Sequence, residues 1–374
     1  MQRDKLLFTP GPLTTSHSVK EAMLHDVGSR DDEFIALIRG IRDELLGLGG
    51  VSRAEGYETV LMQGSGTFGV ESVISSVVPA SGKLLVAVNG AYGERIVQMA
   101  TRHRIPVEVL RTAENQPPDP DDFRRLLAAD RSITHVAVVH CETTTGIINP
   151  IEAIGAVLQE AGRAFIVDAM SSFGAIPIHL GKANIDFLVS SSNKCIQGVP
   201  GFSFVLAKRE KLLAGQGLAR TLSLDLLEQW RGLEQSGQFR YTPPTHAILA
   251  FARALRELNE EGGVAARGAR YRRNHDVLVP GMTGMGFRVF LRPEVQSCII
   301  TSFYVPPDPK FGFAEFYRRL SAKGFVIYPG KLSQADTFRI GSIGHVFEAD
   351  IRALLEAVRE TMAEMGVTLG PKSN

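Results

Sequence analysis

The feature that most constrains the fold is a set of short apolar segments that recur through the first two-thirds of the chain. The segments are 84–88, 135–139, 164–167, 187–189 and 202–206. A strand that is apolar at every position is buried on both faces, as in a parallel sheet covered by helices. Stretches with helical periodicity, such as 121–128 and 151–160, separate the apolar segments. The chain is therefore predicted to be an α/β protein built from repeated strand–helix–strand units.

The order of elements changes near residue 245, where an amphipathic helix over 245–260 is predicted to join two domains. Beyond this helix, strand-like and helical segments are mixed: 287–291, 298–305, 313–323, 325–328 and 349–365. That order is typical of a smaller α+β domain. We therefore expect three parts, which are an N-terminal segment 1–15 that packs with the small domain, a large domain 16–245 and a small C-terminal domain 246–374.

The composition excludes several classes of protein. The 41 basic and 40 acidic side chains give a formal net charge of +1, too small to attract nucleic acid or an anionic membrane. The three cysteines are too few for a disulfide framework or a four-thiolate zinc site, and no metal site is expected. No apolar segment approaches the roughly 20 residues of a membrane span, and the first residues do not resemble a signal peptide. We therefore expect a cytoplasmic protein.

The segment Gln63–Thr67, with the sequence Gln-Gly-Ser-Gly-Thr, stands directly before a predicted helix. Small residues allow backbone N–H groups at the start of a helix to surround an anion, and the hydroxyls of Ser65 and Thr67 could donate to the same phosphate. An ordinary helix cap uses the same residue types, so both interpretations stay open. A nucleotide-binding P-loop is excluded because no Gly-Lys-Ser/Thr follows.

Two further candidates follow buried strands. Asp168 directly follows the segment 164–167, at the edge of a parallel sheet where α/β proteins bind ligands; a turn or helix cap is the alternative.

Lys194 lies among small polar residues after the segment 187–189. A lysine amine in such a site can have a lowered pKa and attack a carbonyl carbon to form a Schiff base, whereas a lysine at a pocket rim would point to solvent. A phosphate cradle, a strand-end carboxylate and a loop lysine are together the parts that hold pyridoxal 5′-phosphate.

Eight segments carry a resemblance to a known family over almost the whole chain. They are Phe8–Thr15, Gly28–Asp31, Gln63–Thr67, Asn89–Arg95, His140–Gly146, Asp168–Gly174, Ser191–Gly201 and Thr337–Gly344. With these segments in this order the chain resembles the fold-type I, pyridoxal-phosphate-dependent aminotransferases of class V. The Lys194 segment and the Glu-Thr-Thr-Thr-Gly segment are most similar to those of the members that use 2-aminoethylphosphonate and pyruvate. The resemblance implies a mainly parallel, seven-stranded sheet covered by helices in a large cofactor-binding domain, plus a smaller α+β domain.

The resemblance also implies roles for individual residues around the cofactor. Lys194 would bind it covalently and move the proton, and Asp168 would pair with the ring nitrogen. Ser65, Gly66 and Thr67 would bind the phosphate. Tyr92 would stack on the ring, unless it is a packed core residue, and Thr143 would hydrogen-bond near the phenolic oxygen, unless it is an ordinary loop hydroxyl.

A further segment implies a partner subunit. Residues 238–244, which include Tyr241 and Thr242, resemble the segment that reaches the cofactor phosphate of a neighbouring subunit. The resemblance therefore implies a homodimer with shared active sites. A proline-bounded surface loop is the competing interpretation.

Two arginines are candidates for binding the substrates. Arg339 lies in an otherwise apolar, strand-like segment, where a guanidinium needs an anion. By resemblance it would bind the carboxylate of pyruvate or alanine, and an internal ion pair is the alternative. Arg30 is a second cation that could favour a phosphonate, unless it caps the next helix or pairs with Asp31 or Asp32. We expect a ping-pong transaminase that forms phosphonoacetaldehyde and L-alanine, with an alanine–glyoxylate or serine–pyruvate aminotransferase as the nearest alternative.

Overall fold

The computed structural model describes residues 4–332 and 335–369. Its strands are β1 (Leu6–Leu7), β2 (Tyr57–Gln63), β3 (Lys83–Val88), β4 (Val107–Arg111), β5 (Ile133–Val139), β6 (Cys141–Glu142), β7 (Ile147–Ile148), β8 (Ala164–Asp168), β9 (Phe187–Ser191), β10 (Phe202–Lys208), β11 (Ile300–Tyr304), β12 (Phe325–Val326), β13 (Tyr328–Pro329) and β14 (Thr337–Gly341). Its α-helices are α1 (His17–Glu21), α2 (Asp32–Leu48), α3 (Gly66–Val77), α4 (Ala91–Arg102), α5 (Pro120–Ala129), α6 (Ile151–Ala161), α7 (Arg209–Leu213), α8 (Leu226–Gln235), α9 (Thr245–Glu261), α10 (Gly263–Gly284), α11 (Phe313–Ala322) and α12 (Glu348–Glu364). Single 3-10 turns occur at Arg53–Glu55 and Pro293–Val295.

A seven-stranded sheet organises the large domain, with the strand order β2-β10-β9-β8-β5-β3-β4. Neighbouring strands are parallel except for β10, which is antiparallel to both β2 and β9. The five apolar segments of the sequence form β3, β5, β8, β9 and β10, and β8 and β9 are buried at every position. The predicted fold class is therefore confirmed. Because β5, β8 and β9 run in parallel, their carboxyl ends meet at one edge of the sheet.

The C-terminal part forms a second hydrophobic core around the antiparallel sheet β11-β14-β13. Phe303, Phe316 and Phe338 pack in this core with side chains from α10 and α12. The N-terminal segment joins it, since β1 pairs with β12 and the carbonyl oxygen of Phe8 accepts a hydrogen bond of 2.9 Å from Gly341 N. We retain the division into 1–15, 16–245 and 246–374 as a proposal; residues 1–3 and 370–374 lie outside the described residues.

The structure differs from the sequence prediction in two parts of the small domain. The segment 287–291 forms no strand and contributes a single bridge between Val289 and Phe303. The segment 325–328 is divided between β12 and β13. These segments are short and flank turns, so their apolar residues enter the core without a continuous ladder of hydrogen bonds. No helix within residues 4–332 and 335–369 combines the length and apolar character needed to cross a membrane.

Candidate active site

A cavity of about 210 Å³ lies at the carboxyl edge of the seven-stranded sheet. Five parts of the chain meet there: the N-terminal segment, the start of α3, the first turns of α4, the end of β8 and the loop after β9. Six residues predicted from the sequence line this cavity: Ser65, Gly66, Thr67, Tyr92, Asp168 and Lys194. The fold thus brings together side chains that are separated by up to 129 positions in the sequence.

Lys194 reaches the cavity from the loop that follows β9. Its Nζ donates hydrogen bonds to the carbonyl oxygens of Pro10 (2.9 Å) and Gly11 (3.3 Å). Burial lowers the pKa of Lys194 to about 8, and the nearby charge of Asp168 opposes this shift. The amine is therefore neutral in part of the molecules near neutral pH, and the neutral form is the nucleophile.

Gly11 allows the N-terminal segment to pass directly over this lysine. Its φ of +108° lies in the left-handed region, and a Cβ there would come within 2.7 Å of both the Asn193 carbonyl oxygen and the Lys194 Cδ. A side chain at this position would have to displace the backbone of the lysine loop. Close packing therefore requires glycine at this position of the segment Thr9–Pro12.

Asp168 is the last residue of β8 and is buried. Its Oδ1 accepts the backbone N–H of Met170 at 2.9 Å. Burial raises the pKa of Asp168 to about 6, while this hydrogen bond and the charges of Lys194 and Arg95 act in the opposite direction. A buried carboxyl group that has no cation bonded to it is suited to a ligand with a positively charged N–H group.

The N-terminus of α3 opens into the same cavity. The Phe68 N–H donates to the Ser65 carbonyl oxygen at 2.9 Å, whereas the first two N–H groups of the helix, those of Gly66 and Thr67, precede the intrahelical bonds and are free for a ligand. The side chain of the N-cap residue Ser65 makes no capping hydrogen bond. Gly66 lies against Met170, whose Sδ would be 2.2 Å from a Cβ at this position. Thr67 Oγ1 accepts a hydrogen bond of 3.1 Å from Arg95 Nη1. Free N–H groups, hydroxyls and a guanidinium together form a suitable site for a phosphate.

Tyr92 lies in the first turn of α4, and its ring borders the cavity. The guanidinium of Arg95, one turn later, lies 4.7 Å from the centre of this ring. The backbone N–H groups of Tyr92 and Gly93 donate to Glu142 Oε2 at 3.2 and 3.4 Å. Glu142 therefore holds the backbone of Tyr92 in place, and Tyr92 lines the cavity together with Asp168 and Lys194.

Thr143 and Arg339 lie beside the cavity and contact one another. Arg339 Nη1 donates to the Thr143 carbonyl oxygen at 3.0 Å, and Arg339 Nε donates to the Pro329 carbonyl oxygen at 2.9 Å. The Thr143 hydroxyl lies 2.6 Å from Ser171 Oγ. Arg339 is only 2% exposed, and it forms no ion pair within residues 4–332 and 335–369. The guanidinium therefore has no direct ion-pair partner in the described structure, although the charge of Glu142 is near enough to oppose the lowering of its pKa by burial, and it stays available for an anionic ligand.

Arg30, Tyr241 and Thr242 are not part of the Lys194 cavity within one chain. They line a separate surface cleft of about 350 Å³. The carbonyl oxygen of Tyr241 accepts a hydrogen bond of 2.8 Å from Gln63 Nε2, close to the N-terminus of α3. Arg30 is exposed and does not cap α2, because the Asp31 side chain accepts the Glu33 N–H at 3.0 Å.

Among the charged residues at or beside the cavity, the sequence analysis assigned no role to Arg95 and Glu142. Both belong to segments that carried the family resemblance. A signal was present for Arg95, because residues three positions apart lie on the same face of a helix and Tyr92 was already a candidate. For Glu142 the signal was a carboxylate in an otherwise polar but uncharged stretch, next to Thr143.

Comparisons with known proteins by sequence and by structure all identify aminotransferases as similar to this chain. A sequence model of the class-V aminotransferases matches residues 17–306. A 2-aminoethylphosphonate–pyruvate transaminase of Salmonella schwarzengrund is 53% identical over 362 residues, which are 96% of this chain and 98% of that protein. The crystal structure of an alanine–glyoxylate aminotransferase from Nostoc sp. has a TM-score of 0.89 at 26% identity, over 97% of this chain and 96% of that one. A ureidoglycine–glyoxylate aminotransferase of Bacillus subtilis has a TM-score of 0.90 at 22% identity, over 100% of this chain and 96% of that one, and shares the fold.

Proposed function

The chain belongs to the class-V aminotransferase family, and from this we propose that it moves the amino group of 2-aminoethylphosphonate to pyruvate, with pyridoxal 5′-phosphate as its cofactor. The products are phosphonoacetaldehyde and L-alanine, and the two half-reactions follow one another at one site. The observation that carries the proposal is the convergence of the Lys194 amine, the Asp168 carboxylate and the N-terminus of α3 on one cavity, in a chain with a close relative of this activity.

The residues around the cavity fit pyridoxal 5′-phosphate. The N-terminus of α3, with the Ser65 and Thr67 hydroxyls and the small Gly66, would hold the phosphate. Asp168 would hold the protonated ring nitrogen, whose positive charge would keep this carboxylate ionised despite its burial. When bound, the cofactor supplies an aldehyde that carries the amino group and a ring that withdraws electrons from the reacting carbon.

Lys194 has two tasks in this proposal. Its Nζ would bind the cofactor covalently and, after the substrate releases it, would move the proton of the reaction. Nζ would accept this proton from the substrate carbon that bears the amino group and would return it on the cofactor side of the same bond system. A pKa near 8 suits both tasks, because such an amine can both accept and donate a proton near neutral pH. Tyr92 would stack on the ring, and Thr143 would hydrogen-bond near the phenolic oxygen.

Arg339 would bind the anionic end of each substrate. A planar guanidinium can donate two parallel hydrogen bonds to a carboxylate or a phosphonate, so one residue can serve both half-reactions. Burial lowers the pKa of Arg339 from its usual value, which reflects the cost of a buried charge that a bound anion would offset. Because a phosphonate carries a higher negative charge than a carboxylate, we propose Arg30 as an additional cation for the donor.

We further propose that the enzyme is a homodimer with shared active sites. Three apolar side chains are exposed near the phosphate cradle and the loop 238–244: Phe68 (50%), Leu222 (75%) and Tyr241 (42%). Leu222 adjoins this loop, since its carbonyl oxygen accepts a hydrogen bond of 3.1 Å from Arg240 Nη1. A second copy packed on this face would bury these side chains and bring Arg30, Tyr241 and Thr242 of one subunit toward the cavity of the other.

We propose a cytoplasmic location for the enzyme. Cys141, Cys195 and Cys298 are all buried and unpaired. Free thiols of this kind are typical of a reducing compartment.

Steady-state kinetics with several amino donors and acceptors tests the activity. We expect the highest kcat/KM with 2-aminoethylphosphonate as donor and pyruvate as acceptor. Alanine and serine as donors, and glyoxylate as acceptor, are the competing substrates. A higher kcat/KM for alanine or serine with glyoxylate would assign the protein to the other branch of the family.

The Lys194→Ala variant tests the mechanism. It should lose transamination and lose covalent retention of the cofactor after borohydride reduction, with a circular dichroism spectrum in the far ultraviolet like that of the wild type. The matched control is Lys182→Ala, which removes an exposed lysine outside the cavity lining. Transamination by the Lys194→Ala protein at the wild-type rate would contradict the mechanism.

A further inference from the structure

Glu142 is a buried carboxylate next to the cavity that the proposed mechanism does not use. Its side chain is 0% exposed, and it forms no ion pair within the described ranges 4–332 and 335–369. Burial raises the pKa of Glu142 to about 7, although hydrogen bonds from Thr144 and Gly93 act against this shift. A buried carboxylate without a direct ion pair is costly, so its hydrogen-bond donors, together with the charge of the nearby Arg339, must account for its presence.

Both oxygens of Glu142 accept hydrogen bonds, and the two oxygens bind different parts of the chain. Oε2 accepts the N–H groups of Tyr92 and Gly93 at the start of α4, at 3.2 and 3.4 Å. Oε1 accepts the Thr144 N–H at 3.3 Å and the Thr144 hydroxyl at 2.9 Å. The carboxylate therefore joins the start of α4 to the loop that follows β6, and its negative charge is stabilised by the N-terminal end of the helix.

The start of α4 and the loop after β6 can approach each other closely because the residue between them and the carboxylate is a glycine. A Cβ at Gly90, the residue before α4, would lie 2.3 Å from both Cγ and Cδ of Glu142. Only glycine leaves room for the carboxylate at this point. The same loop carries Thr143, whose carbonyl oxygen accepts the hydrogen bond from Arg339 Nη1. One carboxylate thus links the helix of Tyr92 to the loop of Thr143 and Arg339.

We propose that Glu142 is a positioning residue that sets the Tyr92 ring and the Thr143 loop for the cofactor ring, without touching cofactor or substrate. The inference rests on the proposed use of pyridoxal 5′-phosphate but does not depend on which amino donor is used. A carboxylate is required because both of its oxygens accept hydrogen bonds. An amide would direct an NH₂ group toward one of the two sets of N–H donors and would also remove the charge at the helix N-terminus.

The Glu142→Gln variant tests this proposal without relying on activity. Apoenzyme is titrated with pyridoxal 5′-phosphate, and the dissociation constant and the visible circular dichroism of the bound cofactor are measured. We expect the dissociation constant to rise about tenfold or more, as for the loss of one hydrogen bond to a charged group. We also expect a weaker visible dichroic band, because that signal depends on how rigidly the protein holds the ring.

A matched control separates positioning from general stability. Glu58 is equally buried, but it pairs with Arg53 (2.9 Å) and Arg209 (2.8 Å) and is not among the residues that line the cavity. Glu58→Gln should lower the melting temperature and leave the dissociation constant and the dichroic band unchanged. If Glu142→Gln changes only the melting temperature, as Glu58→Gln does, the proposal is overturned.

Two further variants keep the proposal testable if Glu142→Gln does not fold. Gly90→Ala places a methyl group against the carboxylate and should weaken cofactor binding in the same direction. In a double-mutant cycle, Tyr92→Ala should remove most of the effect of Glu142→Gln or of Gly90→Ala on the dissociation constant. Full additivity would mean that the carboxylate does not act through Tyr92. A wild type that binds the cofactor but prefers another donor would overturn the proposed substrate and leave this inference in place.

Discussion

Burial acts in opposite directions on the two ionisable groups at the centre of the cavity. It lowers the pKa of Lys194 to about 8 and raises the pKa of Asp168 to about 6, since the charged form of each is penalised. The negative charge of Asp168 favours the protonated amine and so limits the fall in the pKa of Lys194. Both groups therefore titrate closer to neutral pH than they would on a surface.

Cofactor uptake should follow the titration of Lys194. The rate at which apoenzyme takes up pyridoxal 5′-phosphate should rise with pH, with a midpoint near 8, because only the neutral amine attacks an aldehyde. Asp168→Asn removes a charge that raises the pKa of Lys194, so the midpoint should move to lower pH. The growth of visible absorbance after mixing measures this rate. An unchanged midpoint in Asp168→Asn would contradict the electrostatic argument.

The same titration should appear in the stability of the apoprotein. The pKa of Lys194 in the folded chain lies below the ordinary value of 10.5, so the unfolded chain binds this proton more tightly. By linkage, the contribution of Lys194 to stability increases as the pH rises from about 8 to about 10.5. Urea unfolding of the wild type and of Lys194→Ala across this range isolates the contribution.

Arg339 should matter most for the carboxylate substrate. Replacing it with glutamine removes a charge and two donors, and we expect kcat/KM for pyruvate to fall about 10- to 100-fold, the effect of losing a charged hydrogen bond. Arg339→Lys keeps the charge but not the planar fork, so recovery should be partial. The melting temperature of each variant serves as the control, since Arg339 also donates to two carbonyl groups. An unchanged kcat/KM in a folded Arg339→Gln protein would contradict substrate binding by this residue.

Individual site residues could be predicted where the residue type conflicts with its surroundings. Lys194 follows an apolar strand, Arg339 lies within one and Asp168 ends one. Each of these polar side chains therefore needs a partner that its neighbours in the sequence do not supply. Glu142 was missed because short-range patterns do not reveal its partners, whereas Arg95 could have been found from its spacing of three residues from Tyr92. The contact of Glu142 with the start of α4 joins residues about 50 positions apart, and only the folded chain brings them together.

At the scale of elements, the N-terminal segment has a defined task in the site. It pairs with the small domain through β1 and then crosses over Lys194 at Gly11. The segment therefore covers the lysine loop from outside the large domain. Its conformation at Gly11 should affect both stability and the position of the lysine.

Gly11→Ala tests this arrangement. The added Cβ would meet the Asn193 carbonyl oxygen and the Lys194 side chain, and the φ of +108° is unfavourable for alanine. We expect a loss of about 1–3 kcal/mol in the free energy of unfolding and weaker retention of the cofactor. Gly40→Ala is the matched control: it lies in α2 with open space around it and should gain about 0.5–1 kcal/mol. Equal stability of Gly11→Ala and the wild type in urea would contradict the packing argument.

The sequence predicted best those elements whose apolar residues follow a single clear pattern. The strands buried on both faces, such as β8 and β9, read as continuous apolar segments, and α9 reads as an amphipathic helix. The helix α10 was missed because its buried face is partly polar and includes Arg267, Arg270 and Asn274. Burial of such side chains is possible only because other parts of the chain supply partners, for example Glu261 for both arginines.

At the scale of the whole molecule, the cleft of Arg30, Tyr241 and Thr242 has no evident role within one chain. It lies on the surface beside the N-terminus of α3, and exposed apolar side chains adjoin it. In the proposed dimer, each active site would contain Lys194 from one subunit and these residues from the other. Shared active sites lead to an expected result that a monomeric enzyme could not give.

Mixing two inactive variants should restore activity if the sites are shared. We expect Lys194→Ala and a Tyr241→Ala/Thr242→Ala double variant each to have little activity alone. After refolding together, half of the dimers would be mixed and each would contain one intact site, so activity should recover to about a quarter of the wild-type value. Light scattering on a size-exclusion column checks the dimer, and the variants mixed without refolding are the control. Absence of recovery in a mixed dimer would contradict shared sites.

The sequence by itself determined the α/β class, the family and the three residues with the most distinctive surroundings, because these depend on local periodicity and on short motifs. Only the tertiary structure decided that Arg339 forms no ion pair within the described residues, that the N-terminal segment covers Lys194, and that Glu142 holds the start of α4. The physical reason is that burial, and with it the cost of a charge and the value of each hydrogen bond, depends on neighbours that are distant in the sequence.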